Sequence, residues 1–325
     1  MFRRNSFVFL FGTVMNNKVT VTGIINRTES PPRKNNEWSI IIYTLKQKGN
    51  LRIMKWKEII NESAWVVDDI ISKEECEYLL KMASDLGIHG KRASGDVRHR
   101  NSMTVELDDE ELAQTLYDRI KMHIPQEVWI DESCTNLGLS YDTKQLYGKW
   151  TSYGINSKFR IVCYPGQGHF GPHRDGARIV DEHHRSLITI NGFLTNRPSG
   201  FGGATRFVRD RIDLGLNDDG IFSTSDSDVL HRVEAEKAGT ASVFFHDLMH
   251  DGEPLKEGSP EKWLFRTEIM YEREPDSAPQ LTKSERDAKG YLQQAELAEC
   301  SGDILEATKF YKMAYRLDPS LDGSF

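Results

Sequence analysis

The sequence predicts a mainly β core, flanked by N-terminal helices and followed by a C-terminal α-helical hairpin. Three observations carry this reading. From Lys158 to Tyr271, short runs rich in β-branched and aromatic residues ("KFRIVCY", "RSLITINGFL", "TRFV", "TASVFFHD", "KWLFRTEIMY") are separated by Gly, Pro and Asp turns, and strands of that length and spacing suggest a sandwich or barrel. Upstream lie two segments with helix caps and apolar residues at helical spacing. Downstream, beyond the linker-like "EREPDSAPQ", the composition turns helical.

In chain order, residues 1–55 alternate apolar and polar around the loop "TESPPRKNNE" and read as short strands of an N-terminal extension, to which no chemistry is assigned. The start, "MFRRNSFVFLFGTVM", has the basic residues and short apolar run of a signal peptide but lacks a small-residue cleavage pattern. A cytoplasmic location is expected, with a secretory route left open. A domain spanning 56–273 begins with an apolar strand, "AWVVDD". It continues with Ser72 and Glu75 as a capping box and a helix presenting Tyr78, Leu79 and Met82 on one face. The next helix, "DDEELAQTLYDRIKMHIP", has acids in its first turn, carries Leu112, Leu116 and Ile120 as a core stripe, and stops before Pro125. The β core occupies about 150–273. Residues 282–319 read as two helices joined at Ser301-Gly302-Asp303. Tyr291, Ala295, Gly302, Ala307, Tyr311, Ala314 and Pro319 fall at the spacings of one tetratricopeptide unit, which such a hairpin resembles. A single unit cannot bury both its faces, so a protein partner at this hairpin is expected.

Composition excludes some classes of function. The 325 residues are 38% hydrophobic and 28% charged, as in a globular protein, so no membrane spanning is expected. A net charge of −7 gives no broad basic field, and nucleic acid is not expected as a partner. The four cysteines show no Cys-x-x-Cys spacing, which fits a reducing compartment and supports no structural zinc.

The chemistry centres on "HFGPHRDGARIV" at 169–180, where His173 stands two residues before Asp175. In extended chain, residues i and i+2 project from one face, so this imidazole and carboxylate can reach one ion together. A 2-His-1-carboxylate triad that holds non-haem Fe(II) needs a second histidine from elsewhere. His250 is favoured. His246 is the alternative, but it sits inside the apolar strand run, where a structural histidine is the ordinary reading. Lys262 and Arg266, four apart on the last strand, offer cations for a dicarboxylate co-substrate. Arg266, between Phe265 and Ile269, is expected to lie deeper and to be the main anchor, with Lys262 assisting at the pocket mouth. His169, His183, His184 and Arg185 receive no role. Gly202 and Gly203 read as a tight turn before Thr205.

The segments "FRIVCYPGQGHFGPHRDG", "RSLITINGFL", "GFGGATRF", "FFHDLMHDGEPLKEG" and "KWLFRTEIMY" occur in the order and form found in Fe(II)/2-oxoglutarate-dependent dioxygenases of the prolyl 4-hydroxylase-like branch, which the chain resembles over roughly 150–273. The resemblance implies a double-stranded β-helix of the jelly-roll, cupin-like kind. It also implies iron between His173, Asp175 and His250, 2-oxoglutarate as co-substrate, Tyr164 as a pocket residue, and ascorbate as supporting reductant. Two departures stand out: many relatives have one basic residue at the start of the last strand where this chain has two, and Ala204 stands where an acid is common. The expected reaction is hydroxylation of a C–H bond, with a prolyl or other residue of a protein or peptide as substrate. The alternatives are a small-molecule or nucleobase oxygenase on the same core, or a non-catalytic interaction protein using the helical hairpin.

Overall fold

The computed structural model describes residues 9–15, 18–25, 39–44, 51–131, 134, 146–210, 215–300 and 304–321. The basic start, the "TESPPRKNNE" loop and the Ser301-Gly302-Asp303 junction lie outside the described residues. The alternating N-terminal segment forms strands: β1 (Phe9–Met15) and β2 (Lys18–Ile25) make an antiparallel hairpin, and β3 (Ser39–Thr44) pairs with β4 (Leu51–Ile60). The boundary expected at residue 55 falls inside β4. That strand continues into the domain by pairing with β5 (Ala64–Asp68), in the register Lys55↔Asp68 and Trp56↔Val67. Period 2 explains the continuity, because Met54 and Trp56 bury on one face while Lys55 between them faces solvent.

Helix α1 (Lys73–Asp85) starts with the expected capping box: the Glu75 amide donates to Ser72 Oγ at 3.0 Å and the Ser72 amide to Glu75 Oε2 at 2.6 Å. Its buried stripe differs from the expected one. Cys76, Leu79 and Ala83, spaced i, i+3, i+7, are buried, whereas Tyr78 is 42% exposed and donates to Asp109 Oδ2 at 2.9 Å. Short strands β6 (Arg100–Asn101) and β7 (Met103–Asp108) follow, then α2 (Glu110–Ile120), which buries Leu112, Leu116 and Ile120 as expected. Arg119 is buried with them, and its guanidinium forks onto the Glu75 carboxylate.

The remaining strands are β8 (Glu127–Ile130), β9 (Gly148–Ile155), β10 (Lys158–Tyr164), β11 (His169–His173), β12 (His184–Phe193), β13 (Thr205–Val208), β14 (Val229–Val233), β15 (Ala241–Phe245), β16 (His250–Gly252) and β17 (Lys262–Arg273). All five β-rich runs are strands. One antiparallel sheet runs β3-β4-β5-β15-β12-β17-β10-β7, the other β14-β13-β16-β11-β6. Chain and spatial order together define the architecture. β10, β12, β15 and β17 belong to the first sheet; β11, β13, β14 and β16 belong to the second, so the chain winds between the sheets as a double-stranded β-helix. Phe193, Phe207, Phe244, Tyr164 and Leu264 form a buried cluster with Leu255 and Val233. Central β12 is buried at eight successive positions, as a strand covered on both faces requires. Before β13, Gly202 and Gly203 take φ of +69° and +86°, and a Cβ on Gly202 would lie 2.4 Å from the Pro254 carbonyl oxygen, so the turn expected there needs glycine.

The second compact unit comprises 128–150 and 273–325. Within it, Arg273 stacks 5.1 Å over the Trp150 ring and the Lys149 amide donates to Ser277 Oγ at 2.8 Å. Helices α3 (Lys283–Cys300) and α4 (Ile304–Leu317) run antiparallel, since Ser284 Oγ donates to the Leu317 carbonyl at 2.8 Å and the Tyr291 and Phe310 rings stack at 6.2 Å. Ala288, Ala295, Ala307 and Ala314 are buried, which lets the two helices approach closely. Among the described residues no helix is long and apolar enough to cross a membrane.

Candidate metal centre

His173 closes β11 and His250 opens β16, and the two stand opposite each other in the antiparallel register. Pairing thus brings together residues 77 positions apart in sequence. Asp175 follows the strand, and its amide is fixed by donation to the His246 carbonyl at 3.0 Å. The ligand atoms of His173, Asp175 and His250 all lie within 4.8 Å of one another. His173 Nε2 is 3.7 Å from Asp175 Oδ1, and His250 Nε2 is 3.8 Å from Asp175 Oδ2.

The donor set fits a divalent ion. His173 Nδ1 is 2.8 Å from the Gly171 carbonyl and His250 Nδ1 is 2.9 Å from the Leu248 carbonyl. A carbonyl only accepts, so each Nδ1 carries the proton and each Nε2 presents a lone pair toward the carboxylate. Burial, then the neighbouring His250, lowers the His173 pKa to about 3, leaving the ring neutral as a ligand must be. Burial by itself would raise Asp175, but the Arg266 guanidinium, followed by His250 and His173, holds it well below the usual carboxylate range.

His246 lies outside this group of three. It is buried, with Nε2 2.7 Å from Ser186 Oγ and Nδ1 2.8 Å from Thr189 Oγ1, and Thr189 donates onward to Asp175 Oδ2 at 2.8 Å. The Arg178 amide donates to Ser186 Oγ, so the chain has one consistent direction: Arg178 to Ser186, His246, Thr189 and Asp175. Replacing His246 with alanine leaves two buried hydroxyls short of a partner. It is expected to cost about 2–4 kcal/mol of stability and to weaken divalent-metal binding roughly 10- to 100-fold through the loosened carboxylate. Thermal unfolding with a metal titration checks both effects, and unchanged metal affinity would show that this chain does not set Asp175.

The triad forms one wall of a cleft of about 470 Å³, its open mouth included, lined also by Tyr164, Phe170, Asn191, Lys262, Leu264 and Arg266, and by two residues the sequence reading missed, Arg100 and Arg160. Tyr164 thus lines the same cleft as the triad. The depths of the two basic residues on β17 are opposite to expectation. Lys262 is only 2% exposed, whereas the Arg266 side chain is 14% exposed. The Lys262 ammonium lies 4.8 Å from the Tyr164 ring centre and 5.6 Å from that of Phe193, with no acceptor in hydrogen-bond reach among the described residues. Phe265 and Ile269, expected to surround Arg266, alternate to the other face of β17, where Phe265 packs on Phe159 at 6.0 Å. Arg266 instead donates to the Gly176 carbonyl at 3.0 Å and lies 3.5 Å from Asp175 Oδ2 and 3.3 Å from Glu268 Oε1.

Arg160 was legible in principle. It alternates with Val162 and Tyr164 on β10, so it shares their face. Arg100 carried no local signal. The Ala204 amide donates to Glu253 Oε2 at 3.1 Å.

No protein-family model matches the chain, and no curated protein matches it. Among solved structures it is similar to a viral collagen prolyl hydroxylase from Paramecium bursaria Chlorella virus-1 in complex with 2-oxoglutarate, at 18% identity and a TM-score of 0.36, covering 65% of this chain and 97% of that one. It is also similar to a Pseudomonas putida prolyl-4-hydroxylase, at 15% identity and a TM-score of 0.39, covering 66% and 94%. A third is a prolyl hydroxylase from Trichoplax adhaerens in complex with a hypoxia-inducible factor oxygen degradation domain peptide fragment, at 12% identity and a TM-score of 0.39, covering 67% and 86%.

Proposed function

We propose that this protein is an Fe(II)- and 2-oxoglutarate-dependent dioxygenase that hydroxylates a C–H bond of a protein or peptide, a prolyl residue being the first candidate. One observation carries the reading: two imidazoles and a carboxylate converge on the cleft into which a buried ammonium also points without a partner. When bound, Fe(II) and 2-oxoglutarate supply the O2-dependent oxidation, with 2-oxoglutarate leaving as succinate and CO2 while one oxygen atom enters the substrate.

The remaining roles belong to the chain. His173, Asp175 and His250 would hold the ion from one side, leaving the side toward the cleft for co-substrate and oxygen. Lys262 would neutralise the far carboxylate of 2-oxoglutarate, since a buried cation calls for an anion. Arg266 holds Asp175 in its ionised form, and Phe170, Val162 and Leu264 give the cleft an apolar part of its wall. Family resemblance supports ascorbate as the supporting reductant. The tetratricopeptide-like spacing of the C-terminal helices supports a second protein contact there. Anaerobic addition of Fe(II) and 2-oxoglutarate tests the function: a weak visible charge-transfer band is expected, followed by succinate formation once O2 is admitted. Absence of both would overturn the reading.

The charge state of Lys262 gives a further expected result. Burial, then the nearby Arg197, lowers its pKa to about 7, with Asp251 and Glu253 opposing. The 2-oxoglutarate dianion binds the protonated form. Affinity should therefore be flat well below pH 7 and fall by up to about tenfold per pH unit above it. Titrating 2-oxoglutarate into the Zn(II)-loaded protein between pH 6 and 9 measures this. A flat profile would contradict Lys262 as the anchor.

A further inference from the structure

The cleft carries more positive charge than the metal and co-substrate account for. Arg100, Arg160, Lys262 and Arg266 line it, against Asp175 and Asp251. Asp251 is already engaged, because the buried Arg206 guanidinium holds it in a fork at 2.8 and 2.5 Å. Arg266 is matched by Glu268, 3.3 Å away, and Lys262 is taken by the far carboxylate on the reading above. In charge terms, a divalent ion is matched by Asp175 and the near carboxylate. Arg100 and Arg160 are left over.

Neither has a carboxylate within ion-pair distance among the described residues. Arg100 Nε donates to Ser102 Oγ at 2.8 Å, and its guanidinium lies 4.5 Å over the Phe170 ring, which itself stacks on the His173 imidazole at 3.6 Å. Arg100 is thus one aromatic ring removed from a metal ligand. Arg160 stands opposite Arg266 on β17 and opposite Glu106 on β7, but Glu106 pairs with Lys158 at 3.4 Å. Like charges facing each other across an antiparallel pair are destabilising unless an anion lies between them. With only Nε of Arg100 committed, its two terminal nitrogens remain to donate to a carboxylate.

We infer that Arg100 and Arg160 receive an acidic side chain of the substrate, so that the oxidised residue lies in a peptide segment beside aspartate or glutamate. This rests on the dioxygenase reading. The test uses Zn(II)-loaded protein with 2-oxoglutarate and two fluorescent peptides of equal length, one with proline flanked by glutamate and one with proline flanked by glutamine. The glutamate peptide is expected to bind about tenfold more tightly, as one charge-assisted contact would give. That preference should largely vanish in Arg100→Gln and Arg160→Gln and survive in part in Arg160→Lys, with thermal unfolding confirming that each variant folds. Equal binding of the two peptides, or binding of neither, overturns the inference. So does a loss of 2-oxoglutarate affinity in the Gln variants with peptide preference intact, which would assign both guanidiniums to the co-substrate. Free L-glutamate competing as well as the peptide would move the specificity to small dicarboxylates and also overturn it. Failure of the wild-type protein to form succinate from 2-oxoglutarate would instead sink the dioxygenase reading, so the two failures are separable.

Discussion

Replacing His250 with alanine is expected to abolish 2-oxoglutarate turnover and to weaken divalent-metal binding by more than the roughly 10- to 100-fold typical of a change outside the ligand set. His250 is 3% exposed, its Nδ1 proton is committed to the Leu248 carbonyl, and its ring centre lies 4.7 Å from that of Phe244. The ring is thus held in one orientation with Nε2 toward Asp175, and alanine has nothing to offer an ion. The same burial means the variant also opens a cavity and frees a carbonyl, at a cost of about 1–3 kcal/mol. His173→Ala separates the two effects. That side chain is 15% exposed on the cleft wall, so its loss should be mild for stability and equally severe for metal binding. Metal titration and succinate formation, each set beside a thermal unfolding curve, check both variants. Retained turnover in folded His173→Ala protein would sink the metal assignment.

Lys262→Ala is expected to raise the KM for 2-oxoglutarate about thirtyfold to several-hundredfold, the equivalent of about 2–4 kcal/mol for a buried charge-assisted contact. Arg266→Ala should raise it much less and act mainly on kcat, because Arg266 is occupied by the Gly176 carbonyl and lies against Asp175 and Glu268. Stability offers an independent sign. An ammonium buried without an acceptor is costly in the free protein, so Lys262→Met should unfold at a higher temperature than wild type while binding 2-oxoglutarate more weakly. Paired titrations of 2-oxoglutarate at saturating Fe(II) decide the matter. A large KM defect in Arg266→Ala with a small one in Lys262→Ala would restore the order read from the sequence.

Much of this protein was written locally. The capping box at Ser72 and Glu75, the stripe Leu112, Leu116, Ile120, the five β-rich runs and the glycine turn at 202–203 depend on neighbours a few residues away, so period and turn chemistry reveal them. The triad was legible for a related reason: His173 and Asp175 share a short extended segment, and His250 follows an apolar strand in a recognisable context. The domain edge was not legible at residue 55, because whether an alternating segment joins a sheet depends on a partner, here Asp68 and Val67 for Lys55 and Trp56. Depth was likewise invisible. Lys262, Leu264 and Arg266 share one face of β17, as period 2 requires, but the end of that face that is sealed is set by Tyr164 and Phe193 from other strands. Arg100 joins the cleft through β6, which pairs with β11 across about seventy residues of chain. The sequence by itself determined which residues form strands and helices and which three are candidates to share an ion, since those follow from short-range sterics and spacing. Only the tertiary structure decided which cations are buried and which remain unpaired, because burial and charge balance are sums over residues that the fold, not the chain order, makes neighbours.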